Sequence, residues 1–462
     1  VSTELELVER LITSYEGSKN DLKSGGDYYE SRHRPTAVGL ATPPAMQMLL
    51  SDIGWARVYL DSLEERLDLE GFRMAGEDAS DERLWQWWQA NNLDQMSGLG
   101  HLEAFVHGRA FVVVSAPKKG DPLADPTCPV IDVLSPRQMH ADIDRRTGKV
   151  LRAIRFVKGW GDPSDTRPDF VTLYLPNVTV AYERSPQGWT ELDRVPHKLG
   201  VVPVVPLLNK SRLDQVLGQS EIKQELRSVT DAAARTMMNL QATMELMAIP
   251  QRYIFGVDKD ELMSQSGGST YQAYIAKILA FTDADGKAGQ FIAAELRNFT
   301  EVMTELSKQA ASYTGLPPQY LSFASENPAS AEAIRSSETR LIKKAERKAK
   351  VFGAAWEQVM RLCLLVMDGS VSSDAHRMET IWRDPATPTF AAMSDAVVKL
   401  VTAATPDGRP LVPVEMGRVK LGFSPEERRQ MEAWDKEAPR QQLASLLTTP
   451  PKPAFSDNLE QE

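Results

Sequence analysis

GQSEIKQELRSVTDAAARTMMNLQATMELM, residues 218–247, is the stretch on which the fold turns. Apolar or small side chains fall at Ile222, Leu226, Val229, Ala233, Met237, Leu240, Met244 and Met247. The steps are three or four throughout, so these positions line one face of an α-helix. Ser220 is placed to cap its start, and Pro250 follows its end. A helix of this extent is roughly 45 Å long, and an apolar stripe of that length needs a partner. Ile292, Leu296, Phe299, Met303, Leu306, Ala310 and Tyr313 supply one, again in steps of three and four. Two long helices joined by a compact excursion describe either a stalk with a small tip or a helical hairpin inside an α-rich core.

The 462 residues allow roughly two to four domains. A net charge of −10 disfavours a protein that coats nucleic acid by clinging to phosphate, though not one past which DNA must slide. Cys128 and Cys363 stand far apart, which fits a reducing compartment and no disulfide framework. No apolar run approaches the roughly 20 residues of a membrane span. Glu4, Glu6 and Glu9 interrupt the first turns, so no secretory signal is expected there.

Ahead of the long helix, periodicity predicts helices over 4–21, 45–67 and 81–91, the last carrying Trp85, Trp87 and Trp88. Two of these tryptophans are expected in the core and one at a subunit or domain contact. From Arg109 the period becomes that of strands: 110–115, 130–134, 140–143, 150–157, 170–175, 178–182 and 189–195, read as one antiparallel meander. The two prolines of 201–206 make that segment an edge or connecting strand. Residues 109–208 with the flanking helices form an α+β unit.

Beyond the first long helix, 252–256 reads as a short strand. The second long helix ends at Gly315, and a polar loop with three prolines (316–330) follows. A third long helix runs from a Ser330 cap to about Met367, with Ile334, Leu341, Ala345, Phe352, Val359, Leu362 and Val366 inward. Ile381 and Trp382 are read as a strand returning to the meander. Segments 390–403, 413–420 and 425–438 are short helices, and the tail from Thr448 has a disordered composition.

Signals of catalysis are weak. His101 and Glu103 form an H-x-E near His107, without the cysteine pair that a deaminase-type zinc site needs. Asp142 and Asp144 abut a hairpin turn, where aspartate is ordinary. Asp283 and Asp285 open a calcium-like D-x-D, but its glycine comes too early. There is no phosphate-binding G-x-x-x-x-G-K-[ST] and no G-x-S-x-G. The chain is therefore read as a non-enzyme with no cofactor and no metal. A hydrolase on the meander and a soluble structural adaptor without a DNA role are the alternatives. The basic run Arg335, Arg340, Lys343, Lys344, Arg347, Lys348 and Lys350 is either a solvated helix face or a contact for phosphate or an acidic neighbour.

The order of several short blocks resembles the portal proteins of tailed double-stranded DNA phages, in the branch common among phages of actinobacteria. These blocks are WARVYLD (55–61), ERL (65–67) and EGF (70–72), GRAFVVV (108–114), NKSR (209–212), GQSE (218–221), Thr230 with Asp231, Glu245, PQR (250–252), TGLPPQY (314–320), Asn327 with Pro328, and SAEAI (330–334). None is catalytic; their order and spacing carry the resemblance, which covers about residues 52–367.

That resemblance implies an α+β portal fold: an α/β wing over 1–208, a stem helix over 209–249 and an adaptor-facing clip over 250–290. A second stem helix over 291–315, a tunnel loop over 316–330, a long wing helix with return strand over 331–389, a helical crown over 390–440 and a disordered tail over 441–462 complete it. It implies a homo-oligomeric ring, usually a dodecamer, at one vertex of the virion capsid, assembled in the host cytoplasm. Double-stranded DNA would pass through the channel during packaging and ejection. The terminase large subunit, a head-tail adaptor, and the major capsid and scaffold proteins are the implied partners, with no membrane. The loop residues Gln319, Ser322, Phe323, Ser325, Glu326 and Asn327 would face DNA. Lys343 and Arg347 are candidates for contact with DNA or a neighbouring subunit. Arg252, Tyr253, Phe255, Tyr271 and Tyr274 would present the clip to the adaptor.

Overall fold

The computed structural model describes residues 2–35, 51–77, 80–118, 120, 122, 125–158, 167–247, 252–255, 278–281, 289–290, 296–322, 331–386, 390–404, 410–423 and 427–436. The chain divides into two compact units, Val1–Pro385 and Ala386–Glu462.

In the first unit the opening helix α1 runs over Ser2–Tyr29, longer than the periodicity predicts. Its glycines do not break it. Gly25 is buried where α1 crosses a later helix, and a Cβ there would come within 2.9 Å of the Val106 carbonyl oxygen. Helix α2 covers Trp55–Glu64, the second half of the expected 45–67; residues 45–50 lie outside the described residues. Strand β1 (Leu69–Arg73) follows, then α3 (Glu82–Ala90), whose Asp81 cap accepts a hydrogen bond from the Leu84 amide. Trp87 and Trp88 are buried, and Trp85 stacks on Trp88 with centroids 6.1 Å apart. The third tryptophan thus packs on its own neighbour.

Helix α4 (Leu93–His107) has no counterpart among the predicted elements. Its buried residues are Leu93, Ser97, Gly100, His101, Ala104, Phe105 and Val106, whereas Leu99 points outward. An apolar-period reading passes over a helix whose buried stripe is interrupted by Ser97, Gly100 and His101.

The strands form two sheets rather than one meander. β2 (Arg109–Ser115) lies between β3 (Val130–Leu134) and β9 (Val204–Leu208), antiparallel to both. Ala110, Val112 and Val114 join the large helical core, while Phe111 and Val113 join a second core against the other sheet. Burial on both faces is why this strand reads as a continuous apolar run. Its edge neighbour β9 carries Pro206, as expected of an edge. The five-stranded meander proper is β4 (Met139–Ile143), β5 (Val150–Val157), β6 (Phe170–Tyr174), β7 (Val178–Ser185) and β8 (Gly188–Pro196), paired in that order. Val8 and Leu11 of α1 cover Ile154, Val171, Leu173, Val180 and Tyr182 on its face.

The helix opened by the 218–247 stretch, α5, covers Gln224–Met247. Residues 218–223 are irregular: Gly218 has φ of +75° and Ser220 accepts from the Ile222 amide instead of capping the helix. Strands β10 (Arg252–Phe255), β11 (Ile278–Phe281) and β12 (Gly289–Gln290) form a small sheet, with β10 central. Helix α6 covers Arg297–Thr314 and packs along α5. Met303, Leu306 and Ala310 turn inward as expected, whereas Met244 and Tyr313 are about half exposed. Ile292 lies outside the described residues. Helix α7 covers Ala331–Asp368, with Leu341, Ala345, Phe352, Val359 and Leu362 buried.

Strand β13 (Glu379–Trp382) does not return to the meander; it pairs antiparallel with β1. Arg383 fixes that register by pairing with Asp68 and Glu70. The second unit contains α8 (Phe390–Thr402), α9 (Val414–Lys420) and a helical stretch at 427–436, joined internally by an Arg418–Asp435 ion pair of 2.7 Å.

Candidate functional site

The lead-in to α5 and the end of α6 both root in one charged cluster on α7. It begins with a tight backbone crossing. Gly108 and Gly218, both at positive φ, meet so closely that a Cβ on Gly218 would fall 2.0 Å from the Gly108 carbonyl oxygen. Around this crossing the Asn209 amide donates to Gly108, the Gln219 amide to Asn209 and the Glu221 amide to Phe105. The irregular lead-in to α5 is thereby sewn onto the end of α4, which drives Glu221 into the interior at 5% exposure.

There Glu221 is met from three elements. Lys348 of α7, also 5% exposed, lies 2.6 Å from Oε1. The Tyr59 hydroxyl of α2 donates to Oε2 at 2.8 Å, and the Asn209 side-chain amide donates to Oε1 at 3.1 Å. Asn209 Oδ1 in turn accepts from Lys348. Burial pushes the Glu221 carboxyl up, but Lys348 and Lys344 together outweigh it and hold it at about 2. The ion pair is thus charged, desolvated and fully hydrogen-bonded, the arrangement in which a buried charge is tolerated.

One turn earlier on α7, Lys344 Nζ donates to the Tyr59 hydroxyl at 2.6 Å and to the Thr314 carbonyl at 2.9 Å. Burial lowers its ammonium to about 8, against the opposing pull of Glu221. Another turn earlier, Arg340 donates to the Ser312 carbonyl at 2.9 Å. Thr314 ends α6 and Gly315 closes it at φ of +79°, as the glycine rule predicts. Two cations four residues apart therefore hold the carbonyl end of α6, where the helix dipole is negative.

The basic run accordingly has two faces. Lys344 and Lys348 point into the protein, between Leu341 and Phe352 on the buried stripe. Lys343 and Arg347, the two singled out from the sequence, are exposed, and Lys343 pairs with Glu346 at 2.8 Å. Tyr59, Asn209, Glu221, Lys344 and Lys348 were not picked out as a set. A signal exists nonetheless: positions 341, 344, 345, 348 and 352 continue one helical face.

The segment after α6 is anchored at its start. Leu316 and Leu321 join the main core, and the Tyr320 hydroxyl donates to Glu338 at 2.8 Å, itself 3.2 Å from Arg66. Gln319 is exposed on a 3-10 turn (Pro318–Tyr320) and Ser322 is half-buried. Phe323, Ser325, Glu326 and Asn327 lie outside the described residues, as do Tyr271 and Tyr274. Arg252, Tyr253 and Phe255 are placed on β10, the central strand of its sheet.

The residues weighed for chemistry have other occupations. His101 is wholly buried; its Nε2 accepts from the Trp356 indole at 2.9 Å, and burial lowers the imidazole to about 3. Glu103 accepts from the Ser135 hydroxyl. Asp142 pairs with Arg152 at 2.7 Å, and Asp144 closes its turn on Arg146 and Thr147. Asp283 and Asp285 lie outside the described residues.

A family model described as phage portal protein, SPP1 Gp6-like, matches residues 8–442. The chain belongs to this family of phage portal proteins. It is 49% identical over 444 residues to the portal protein of Mycobacterium phage L5, a match covering 95% of this chain and 90% of that protein. It is 48% identical over 444 residues to the portal protein of Mycobacterium phage D29, with the same coverage. Among solved structures, a chain of the virion of a native gene transfer agent particle aligns at a TM-score of 0.42 and 14% identity, over 86% of this chain and 99% of that one. A chain from the neck of the native particle, computed with C12 symmetry, aligns at 0.41 and 13%, over 84% and 97%.

Proposed function

We propose that the chain acts without catalysis, as one subunit of a ring at a single vertex of the virion capsid. Double-stranded DNA passes along the ring axis in packaging and ejection. The ring is a dodecamer that docks the terminase large subunit from one side and the head-tail adaptor from the other, and it meets the major capsid and scaffold proteins through its wing. Assembly takes place in the host cytoplasm. The single observation that carries this reading, beyond family membership, is the rooting of α5 and α6 on one stretch of α7. A conduit under the load of moving DNA needs its stem fixed to its wing, and Glu221, Lys344 and Lys348 join them. In this reading β10–β12 form the clip and Phe390 onward the crown. The purified chain examined by mass measurement and negative-stain imaging is expected to form rings with an axial hole. A stable monomer or dimer at every ionic strength would overturn the proposal.

A further inference from the structure

A groove of about 450 Å³ opens between α1 and the meander. Its floor is aromatic: the Tyr15 and Phe156 rings lie 4.5 Å apart, and the Tyr15 hydroxyl is tied to the Arg137 carbonyl at 2.8 Å. Its rim carries Lys19 and Arg137, both exposed, with Arg155, Lys158 and Arg167 already engaged by other groups, and Glu16 is the one acid of the lining among the described residues. Five cations around one opening run against the −10 charge of the chain. Arg155 is held by Asp132 at 3.1 Å, which fixes part of the rim in place.

We propose that this groove is a docking site for an acidic peptide segment of a partner protein, seating an aromatic or aliphatic side chain over Tyr15 and Phe156. Complementary charge at a rim with an apolar centre is the usual anatomy of such a contact. The backbone at the groove is already paired: the Phe156 amide donates to Gln138 and the Asp169 amide to Val157. Recognition is therefore through side chains, not through strand addition. Nucleic acid fits less well. The cations encircle a cavity of small-ligand size instead of forming a track, and the two rings pack against each other at 36° instead of offering open stacking faces.

The test measures fluorescence anisotropy of labelled probes on the purified full chain. The probes are a glutamate-rich peptide of about ten residues with two phenylalanines, its glutamine counterpart, and an oligothymidine of similar length. The glutamate peptide is expected to bind about tenfold more tightly than the glutamine one. Lys19 and Arg137 are exposed, so K19E/R137E leaves the fold intact by circular dichroism and weakens the glutamate peptide about tenfold or more. K19Q/R137Q is expected to fall between. Unchanged peptide affinity in both variants overturns the proposal. So does oligothymidine binding that is as tight as the peptide's and equally lost in the variants, which would make the groove a nucleic-acid surface.

Discussion

The Lys344 ammonium lies 2.9 Å from the Thr314 carbonyl oxygen, so α7 holds the end of α6 through one partly buried cation. Arg340 repeats the contact at Ser312 from a more exposed position. Removing Lys344 leaves the Thr314 carbonyl and the Tyr59 hydroxyl short of a partner and uncovers the negative end of α6. Lys344→Met is expected to cost about 1–3 kcal/mol of stability and Arg340→Gln less than about 1 kcal/mol. Denaturant unfolding checks the totals. Hydrogen exchange checks the location, with faster exchange expected around residues 311–316.

The Glu221–Lys348 pair should behave as a unit. Glu221→Gln leaves Lys348 buried without a countercharge and is expected to cost about 3–5 kcal/mol, whereas Lys348→Met leaves Glu221 with Lys344 as its remaining cation and is expected to cost somewhat less. The double variant is expected to cost clearly less than the two added together. A double-mutant cycle in urea measures the difference. Strict additivity would mean that the two side chains do not depend on each other.

Stability should fall on the acid side before the pair itself titrates. Burial holds His101 at about 3 and His107 and His140 at about 4, against an ordinary 6.5, while Glu64, raised by burial to about 7, opposes them in part. A depressed imidazole favours the neutral form in the fold, so its contribution is complete above about 6.5 and is lost as pH falls toward about 3. Glu221, held at about 2 against an ordinary 4.5, adds its loss only below 4.5. Lys344 works at the other end. With its pKa depressed to about 8, the unfolded chain binds the extra proton between 8 and 10.5, and stability rises with pH across that window. Urea midpoints from pH 4 to 10 test this. His101→Asn should lessen the slope between about 6.5 and 4.5 and leave the share of His107 and His140, and Lys344→Gln should reduce the alkaline rise.

Much of this architecture was legible from periodicity because it depends on long apolar stripes. Leu226, Val229 and Ala233 on α5, and Leu341, Ala345 and Phe352 on α7, sit where their spacing put them. What escaped was whatever buries polar groups. Helix α4 hides Ser97 and His101 inward, and α7 hides Lys344 and Lys348 within a run that reads as surface charge. Such burial is stable only because partners from distant parts of the chain are present, and spacing within one element does not record them. The division of the strands into two sheets escaped for a similar reason. Pairing of β2 with β9 joins Arg109 to Leu208 across the whole meander.

The clip assignment makes a prediction of its own. Residues 264–277 lie between β10 and β11 in sequence, and in the proposed assignment they belong to the clip. Deleting them should leave secondary structure and thermal stability of the remainder nearly unchanged and abolish adaptor attachment in a reconstituted head-tail binding assay. Adaptor binding that survives the deletion at full strength would place the contact elsewhere.

The loop between α6 and α7 is anchored at its start. Leu316 and Leu321 are packed into the core, and Tyr320 is tied to Glu338, so Leu321→Ala is expected to cost about 2–4 kcal/mol. Glu326 and Asn327 carry the functional prediction. A ring multiplies each substitution by its subunit number, and a conduit through which DNA must slide cannot hold phosphate tightly. In the proposed ring, with these residues facing the DNA, lysine at both positions would add a girdle of cations. Glu326→Lys with Asn327→Lys is therefore expected to leave ring assembly intact and stability within about 0.5 kcal/mol. Packaging rate or retention of packaged DNA should drop, with a steeper salt dependence than in the unmodified protein. Negative-stain imaging monitors the ring, and a DNase-protection packaging assay at two salt concentrations monitors the DNA. Unaltered packaging at both salt concentrations would show that these two residues do not face the channel.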